Sequence, residues 1–327
     1  MSIVCIRIDD LENLPAHLRG AVVAIGNFDG IHRGHRAVLD RALAEAQRMG
    51  RPVLALTFEP HPRTLFNPDL PLFRLTPAPM KARLLGLVGV DGVVELAFDH
   101  ALAQTSAEDF VCRVLVEGLG ATHAVTGIDF HFGRGREGGP AFLIEAGKRH
   151  GFGVTLVDAF RDEGTEIVSS TRIRQLLFEG EVAEAASLLG YRYTVEAGVE
   201  RGRQLGRTLG YPTANMALHA GVALRHGIYA VRLRRPSGAL HDGVASFGIR
   251  PTVEDDGAPL LETFLFDFSG NLYGEVCTVS LFGFLRPELK FDGLDPLVAQ
   301  MRQDEAEARA LLAGVQPLSG LDATLCF

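Results

Sequence analysis

The sequence predicts an α/β protein in two domains: a doubly wound parallel sheet over residues 1–185, then a small antiparallel β-barrel with a closing helix over 186–327. Three observations carry this reading. At 327 residues the chain is longer than most single cores. From residue 21 to 157, apolar runs of strand length alternate with amphipathic runs of helical length, as in strands joined by covering helices. Around 181–190 the period switches to two, and Gly, Pro and Asp turns then separate short strands.

In order, residues 3–8 read as one short strand followed by an irregular stretch to residue 20. The apolar run 21–25 breaks at Gly26, and the segment after His35 places Val38, Leu39, Ala42, Leu43, Ala46 and Met49 on a helical stripe ending at Gly50. Pro52 opens Val53–Phe58, a continuous apolar run suited to burial on both faces of a parallel sheet. Strands are predicted at 92–97, 121–126 and 153–157, with helices at 78–87, 106–118 and 141–150 between them. A further helix starts near Ser170 or Thr171, either of which can cap it, and another runs from Val182 to Leu189 and stops at Gly190. Tyr193, Val195, Ala197 and Val199 then alternate with Thr194, Glu196 and Glu200, and strands follow at 228–234, 242–247, 260–268 and 275–285. The stretch 294–313, rich in Ala, Glu, Gln and Arg, is the closing helix.

A formal net charge of −8 leaves no basic face for nucleic acid, and the local Arg clusters suit a small anionic ligand instead. Cys5, Cys112, Cys277 and Cys326 are scattered without a CxxC, which suggests reduced thiols in a cytoplasmic protein. Acidic residues by position 9 argue against a signal peptide, and no apolar run reaches membrane-spanning length. The expected partners are small molecules, neither nucleic acid nor membrane; the oligomeric state is left open, a homo-oligomer included.

The richest stretch is Gly26-Asn27-Phe28-Asp29-Gly30-Ile31-His32-Arg33-Gly34-His35. It has the order strand, glycine turn, helix. Glycines at 26, 30 and 34 remove side chains where a ligand would meet backbone, and the helix end offers N–H groups and a positive dipole. His32 and His35 sit at the same mouth and suit a polyphosphate whose charge shifts during reaction. A capping role and half of a metal site are the plainer alternatives, but zinc would need a third ligand at usable spacing. Two later loops also follow strands, where open parallel sheets bind ligands: Thr57-Phe58-Glu59-Pro60-His61-Pro62-Arg63 and Gly127-Ile128-Asp129-Phe130-His131-Phe132-Gly133-Arg134-Gly135-Arg136. Their aromatics among polar groups suit a flat heterocycle carrying phosphate. Ser169-Ser170-Thr171-Arg172-Ile173-Arg174 puts cations near a helix start, which is unfavourable unless they face an anion.

The second domain carries glycines four apart at 202, 206 and 210, with Arg207 between them, leading to Tyr211-Pro212-Thr213-Ala214-Asn215. No Gly-Lys-Ser/Thr follows, so this is no Walker A loop; Thr213 and Asn215 offer neutral oxygens of the kind that hold Mg²⁺ between phosphates. Glu262 alternates onto one strand face with Phe264 and Phe266, where it could accept a proton from an attacking hydroxyl. An edge-strand Glu turned to water is the plainer alternative.

With these strings in this order, together with Ser106-Ala-Glu-Asp-Phe110, Arg250-Pro-Thr252, Leu265-Phe-Asp-Phe-Ser-Gly-Asn-Leu-Tyr-Gly274 and Lys290-Phe-Asp292, the chain resembles the bifunctional bacterial riboflavin kinase/FMN adenylyltransferase (FAD synthetase) family from about residue 20 to 312. The resemblance implies a Rossmann-like nucleotidyltransferase domain that joins FMN to the AMP portion of ATP, giving FAD and pyrophosphate. It implies a barrel that moves the γ-phosphate of ATP to riboflavin, giving FMN and ADP, with Mg²⁺ in both reactions. The catalytic residues it implies are His32, His35, Arg172 and Glu262. Nucleotide, phosphate or flavin contacts would come from Gly26, Asn27, Phe28, Asp29, Gly34, Phe58, Pro60, His61, Asp129, Phe130, Arg134, Ser170 and Thr171. In the barrel, Gly202, Gly206, Arg207, Gly210, Pro212, Thr213 and Asn215 would surround ATP, with Thr213 and Asn215 on the metal. Two departures from the family pattern, Ser246 in Gly243-Val-Ala-Ser246 and Phe264 after Glu262-Thr263, fall beside the kinase residues. The alternative is an FAD synthetase whose barrel binds flavin but phosphorylates it weakly.

Overall fold

Six parallel strands form the sheet of the first unit in the order β1-β4-β3-β2-β5-β6: β1 (Ile6–Ile8), β2 (Val22–Ile25), β3 (Val53–Glu59), β4 (Gly92–Ala97), β5 (His123–Gly127) and β6 (Gly153–Val157). The computed structural model describes residues 5–327 apart from 71, 202–210, 220 and 250–258. It divides into two units, Met1–Ser170 and Thr171–Phe327. All four residues of β2 are buried, as are the first six of β3, which is why both read as unbroken apolar runs. The order is doubly wound and Rossmann-like. It reverses between β2 and β5, so the loops leaving their carboxyl ends flank a ligand crevice.

The helices of this unit are α1 (Arg33–Met49), α2 (Pro62–Phe66), α3 (Ala78–Leu87), α4 (His100–Ala103), α5 (Ala107–Phe110) and α6 (Pro140–His150). Helix α1 begins two residues before His35 rather than after it, because His32 caps it. It buries Val38, Leu39, Ala42 and Ala46 and ends at Gly50, whose φ of 62° closes a left-handed cap. Its buried face also carries Glu45, held by Arg41 and Arg48 at 2.8 Å each. Where one helix is predicted over 106–118, α5 passes directly into a π-helical stretch, Val111–Gly118.

Helix α7 (Ser170–Glu179) starts on the last residue of the first unit, so Ser170 is its first helical residue and the capping position falls on Ser169. Helix α8 (Val182–Leu189) ends on Gly190 in the left-handed region, as its pattern predicts. Six antiparallel strands then close a barrel in the order β10-β11-β8-β7-β12-β9: β7 (Thr194–Glu200), β8 (Thr213–Ala217), β9 (Gly227–Arg234), β10 (Leu240–Ile249), β11 (Pro259–Leu265) and β12 (Val276–Arg286). The Pro-Thr-Ala-Asn segment is thus the start of a strand, not only the end of a glycine-rich loop. β11 stops at Leu265, so Phe266 lies past the strand that carries Glu262 and Phe264. Helix α9 (Leu294–Ala313) lies so near β12 that a Cβ on Gly283 would meet Leu311 Cδ1 at 2.6 Å. A short helix absent from the sequence reading, α10 (Gly320–Cys326), is anchored by buried Asp322, which accepts the Arg192 amide at 2.8 Å and pairs with its guanidinium.

Candidate active site

The first site is built on the turn between β2 and α1. Phe28, Gly30 and Ile31 have φ of 50°, 88° and 38°; for the two non-glycine residues this is strain that the surroundings must hold. Asp29 supplies much of the hold. Its buried carboxylate accepts the amides of Leu75 (3.2 Å) and Thr76 (2.9 Å) and the Thr76 hydroxyl (3.3 Å), with Arg74 Nε at 3.6 Å. Thr76 Oγ1 in turn accepts the Gly30 amide at 2.8 Å, and Ser170 Oγ donates to the Asp29 carbonyl at 2.8 Å. The Asn27 carbonyl accepts Thr57 Oγ1 at 3.0 Å and Lys81 Nζ at 3.5 Å.

Beneath this turn lies a charge cluster the sequence reading missed. Arg74 grips Glu59 through both terminal guanidinium nitrogens at 2.9 and 2.7 Å, and fully buried Lys81 reaches Glu59 at 2.5 Å and Thr57 Oγ1 at 2.9 Å. Burial alone would push the Glu59 carboxyl up, but the Arg74 hydrogen bond and the Lys81 charge outweigh it and hold it below the usual carboxylate value. Burial pulls the Lys81 ammonium down, and Glu59 restores only part of the difference. One signal was available: Lys81 falls among Met80, Ala82, Leu84 and Leu85 on the buried face of α3, where an unpaired ammonium has no place.

His32 and His35 are brought together. Their rings stack with centroids 3.7 Å apart and 17° between planes, and Phe28 meets His35 edge-on at 5.5 Å. His32 is only 5% exposed, and its Nδ1 accepts the His35 amide at 3.3 Å as the cap of α1. That bond requires a lone pair on Nδ1, so the neutral ring carries its proton on Nε2 and presents a donor there. It also satisfies one orphan amide of the first turn.

Gly26 and Gly34 also have a packing reason that the sequence does not reveal. A Cβ on Gly26 would meet the Phe28 ring at 3.1 Å, and one on Gly34 would meet His32 Cε1 and Nδ1 at 3.0 and 3.1 Å. Both make room for the protein's own rings. Phe58 is likewise a core residue, 5.8 Å from Phe98 and 6.4 Å from Phe110 between centroids. Pro60 is exposed, while His61 is buried and caps α2 by accepting the Arg63 amide at 3.2 Å. After β5, Asp129 and Arg134 are exposed, and half-buried Phe130 stacks on buried Phe132 at 5.4 Å. Thr171 and Arg172 fall in the second unit, Thr171 exposed and Arg172 ion-paired with Glu184 at 3.2 Å.

The second site is a cavity of about 340 Å³ at one side of the barrel, lined by Pro212, Thr213, Asn215, Thr263, Asn271 and Tyr273 among others. That volume suits a small-molecule ligand. Asn215 Nδ2 donates to Thr213 O at 3.2 Å and lies 3.4 Å from Thr213 Oγ1. Asn215 Oδ1 and Thr263 Oγ1 are buried and have no hydrogen-bond partner among the described residues. Asn215 stands directly opposite Glu262 in the β8·β11 ladder, and Thr213 opposite Phe264, so the four side chains share one sheet face. Glu262 is half-buried on this face and does not line the cavity itself. The departures sit with it: Ser246 is its partner on β10, and the Phe264 ring packs 4.7 Å from Tyr211. Gly202, Gly206, Arg207 and Gly210, and the segment Arg250-Pro-Thr252, lie outside the described residues.

Comparison with known proteins separates the two halves in the same way. The FAD synthetase family model matches residues 14–172, and the riboflavin kinase model matches 189–312. A bifunctional riboflavin kinase/FMN adenylyltransferase from Pseudomonas fluorescens is 42% identical over 303 residues, covering 93% of this chain and 96% of the relative. One from Escherichia coli K12 is 40% identical over 298 residues, covering 91% and 95%. A crystal structure of a macrolide-efflux protein from Streptococcus pneumoniae has the same fold, with a TM-score of 0.83, 31% identity and coverage of 94% of this chain and 99% of that one. Among the described residues of the present chain, no helix is long and apolar enough to cross a membrane. With both family models in tandem and full-length relatives of the same double activity, the chain belongs to the bifunctional riboflavin kinase/FMN adenylyltransferase family and is a transferase of both kinds.

Proposed function

We propose that the two sites divide the two reactions between them, with FMN adenylylation at the histidine pair and riboflavin phosphorylation at the barrel cavity. The observation that carries the first assignment is the stacked His32–His35 pair at the start of α1, beside the crevice where the strand order reverses. An FMN phosphate oxygen attacks the α-phosphorus of ATP in line, the bond to the β-phosphate breaks, and pyrophosphate leaves. His32 Nε2–H, His35 and the first-turn amides stabilise the charge that moves onto the α-phosphate and the leaving group. Exposed Asn27, Asp129 and Arg134, with half-buried Phe130, would meet nucleotide and flavin; Asp29, Phe28 and Ser170 act from behind by fixing the turn, and Phe58 packs in the core behind its loop. Thr171 and Arg172 are assigned phosphate contacts on the family pattern.

In the barrel, Glu262 takes the proton of the ribityl hydroxyl as that oxygen attacks the γ-phosphorus and ADP leaves. Mg²⁺ fits the donors there: Asn215 Oδ1 is a buried neutral oxygen without a protein partner among the described residues, next to the Thr213 hydroxyl. When bound, the ion would neutralise phosphate charge. A flavin-binding but weakly active barrel is not favoured, because the riboflavin kinase model spans this half; the pairing of Glu262 with Asn215, which lines the cavity, supports the same reading. We set the boundary between the catalytic halves near residue 186, between the two matched segments. Four free cysteines support a reducing cytoplasm as the compartment.

The test is chromatography of flavins after incubation with Mg²⁺–ATP. Wild-type protein is expected to turn riboflavin into FMN and then FAD, and a chelator for Mg²⁺ to stop both steps. His35→Ala is expected to stop the sequence at FMN, with adenylylation slowed about 100-fold or more. Glu262→Gln is expected to slow FMN formation by about 100-fold while FMN added directly still becomes FAD. A single substitution that abolished both steps in folded protein would overturn the division of labour.

A further inference from the structure

Three metal-type donors converge on the outside of the first unit, at a place that neither reaction uses. Glu108 lies on α5, Cys112 one turn later in the π-helical stretch, and His150 at the last position of α6. Cys112 Sγ is 3.7 Å from His150 Nε2 and 3.8 Å from Glu108 Oε1, and His150 Nε2 is 3.0 Å from the same carboxylate oxygen. A tetrahedral zinc ion, with bonds of about 2.3 Å to sulfur and about 2.0 Å to nitrogen and oxygen, requires S···N near ~3.6 Å, S···O near ~3.5 Å and N···O near ~3.3 Å. The observed triangle therefore departs from one face of that tetrahedron by at most about 0.3 Å on any edge. The carboxylate is also held from behind. Arg149 binds Glu108 Oε2, which leaves Oε1 turned to the cysteine and histidine, an arrangement typical of a supported ligand.

From this juxtaposition we propose that Glu108, Cys112 and His150 bind a late first-row divalent cation, zinc by their chemistry, with water as fourth ligand. On binding, the Cys112 thiol proton leaves to solvent, and the His150 proton moves from Nε2 to Nδ1 so that the Nε2 lone pair reaches the metal. Thiolate and carboxylate together balance the two positive charges. A sulfur–nitrogen–oxygen set rejects Mg²⁺, which demands oxygen ligands, so this site is separate from the ion of the phosphoryl chemistry. The position has a use. The start of α5 and the residues just before it carry the loop that follows β5: the Ala107 amide donates to Glu137 Oε1 and the Arg134 amide to the Thr105 carbonyl, each at 2.8 Å. Helix α6 begins where that loop ends. An ion on Glu108, Cys112 and His150 ties together the two elements that bracket it.

The experiment uses full-length protein stripped with a chelator and titrated with Co²⁺ as an optical probe, then with Zn²⁺. Expected are a thiolate-to-cobalt charge-transfer band, intense tetrahedral bands in the visible, one ion per chain, displacement by Zn²⁺ and indifference to a large excess of Mg²⁺. Cys112→Ser should remove the charge-transfer band, and His150→Ala and Glu108→Gln should each weaken binding about tenfold or more. Zn²⁺ should raise Tm in the wild type and not in Cys112→Ser. A weak octahedral spectrum without charge transfer, a band that survives Cys112→Ser, or an equal Tm rise in both proteins would overturn the site.

Discussion

The Nδ1 lone pair of His32 is committed to the amide of His35, and Gly34 between them has no Cβ, so one residue's absence sets another's orientation. Gly34→Ala tests this. In a helix the change gains roughly 0.5–1 kcal/mol of propensity, while pushing the capping ring aside loses about 1 kcal/mol. Tm should therefore barely move, whereas FAD formation from FMN should fall about 10- to 100-fold because the imidazoles are misplaced. Residues of this kind were only half legible in the sequence. The histidines announce themselves by type and by place after a strand and turn. Gly26 and Gly34 look like ligand clearance, and only coordinates reveal that they also clear Phe28 and His32. The carboxylate of Asp29 accepts the amides of Leu75 and Thr76, residues about 46 positions away that no spacing rule connects to it.

At the scale of elements, the strained β2–α1 turn is held by three others: β3 through Thr57 and Glu59, the segment before α3 through Arg74 and Thr76, and α3 through Lys81. Lys81→Met leaves the Asn27 carbonyl and Glu59 without the ammonium, and about 3 kcal/mol should be lost, read as a lower midpoint in urea unfolding. Glu59→Gln gives the pH signature. Because the folded Glu59 carboxyl lies below its ordinary value of 4.5, its contribution is complete above that pH and fades as pH falls through the lower folded value. The Tm difference between wild type and Glu59→Gln should thus be constant near neutrality and shrink below about pH 4.5. Long periodic elements such as α1, α6 and α9 were legible to within a few residues. Strand β8 was not, since five residues directly after Pro212 carry no clear alternation, and their strand state comes from pairing with β11 and β7. The π-helical widening after α5 has no sequence signature either.

At the scale of the whole molecule, each unit has its own sheet, one parallel and one a closed antiparallel barrel, and the two families' models fall on them separately. The closed barrel has every strand paired on both sides. The parallel sheet depends on its smallest member: β1 is three residues long, pairs Ile6–Ile8 with Gly92–Val94, and sends Arg7 to the buried Glu95 carboxylate at 2.6 Å. Deleting the first eight residues would strip the outer flank of β4, with its adjacent valines, to bare amides and carbonyls and strand an unpaired acid inside the protein. Such a truncation should cost about 3 kcal/mol and give concentration-dependent light scattering on warming, although it touches neither reaction centre. Purification tags are therefore safest when they extend this terminus rather than replace it.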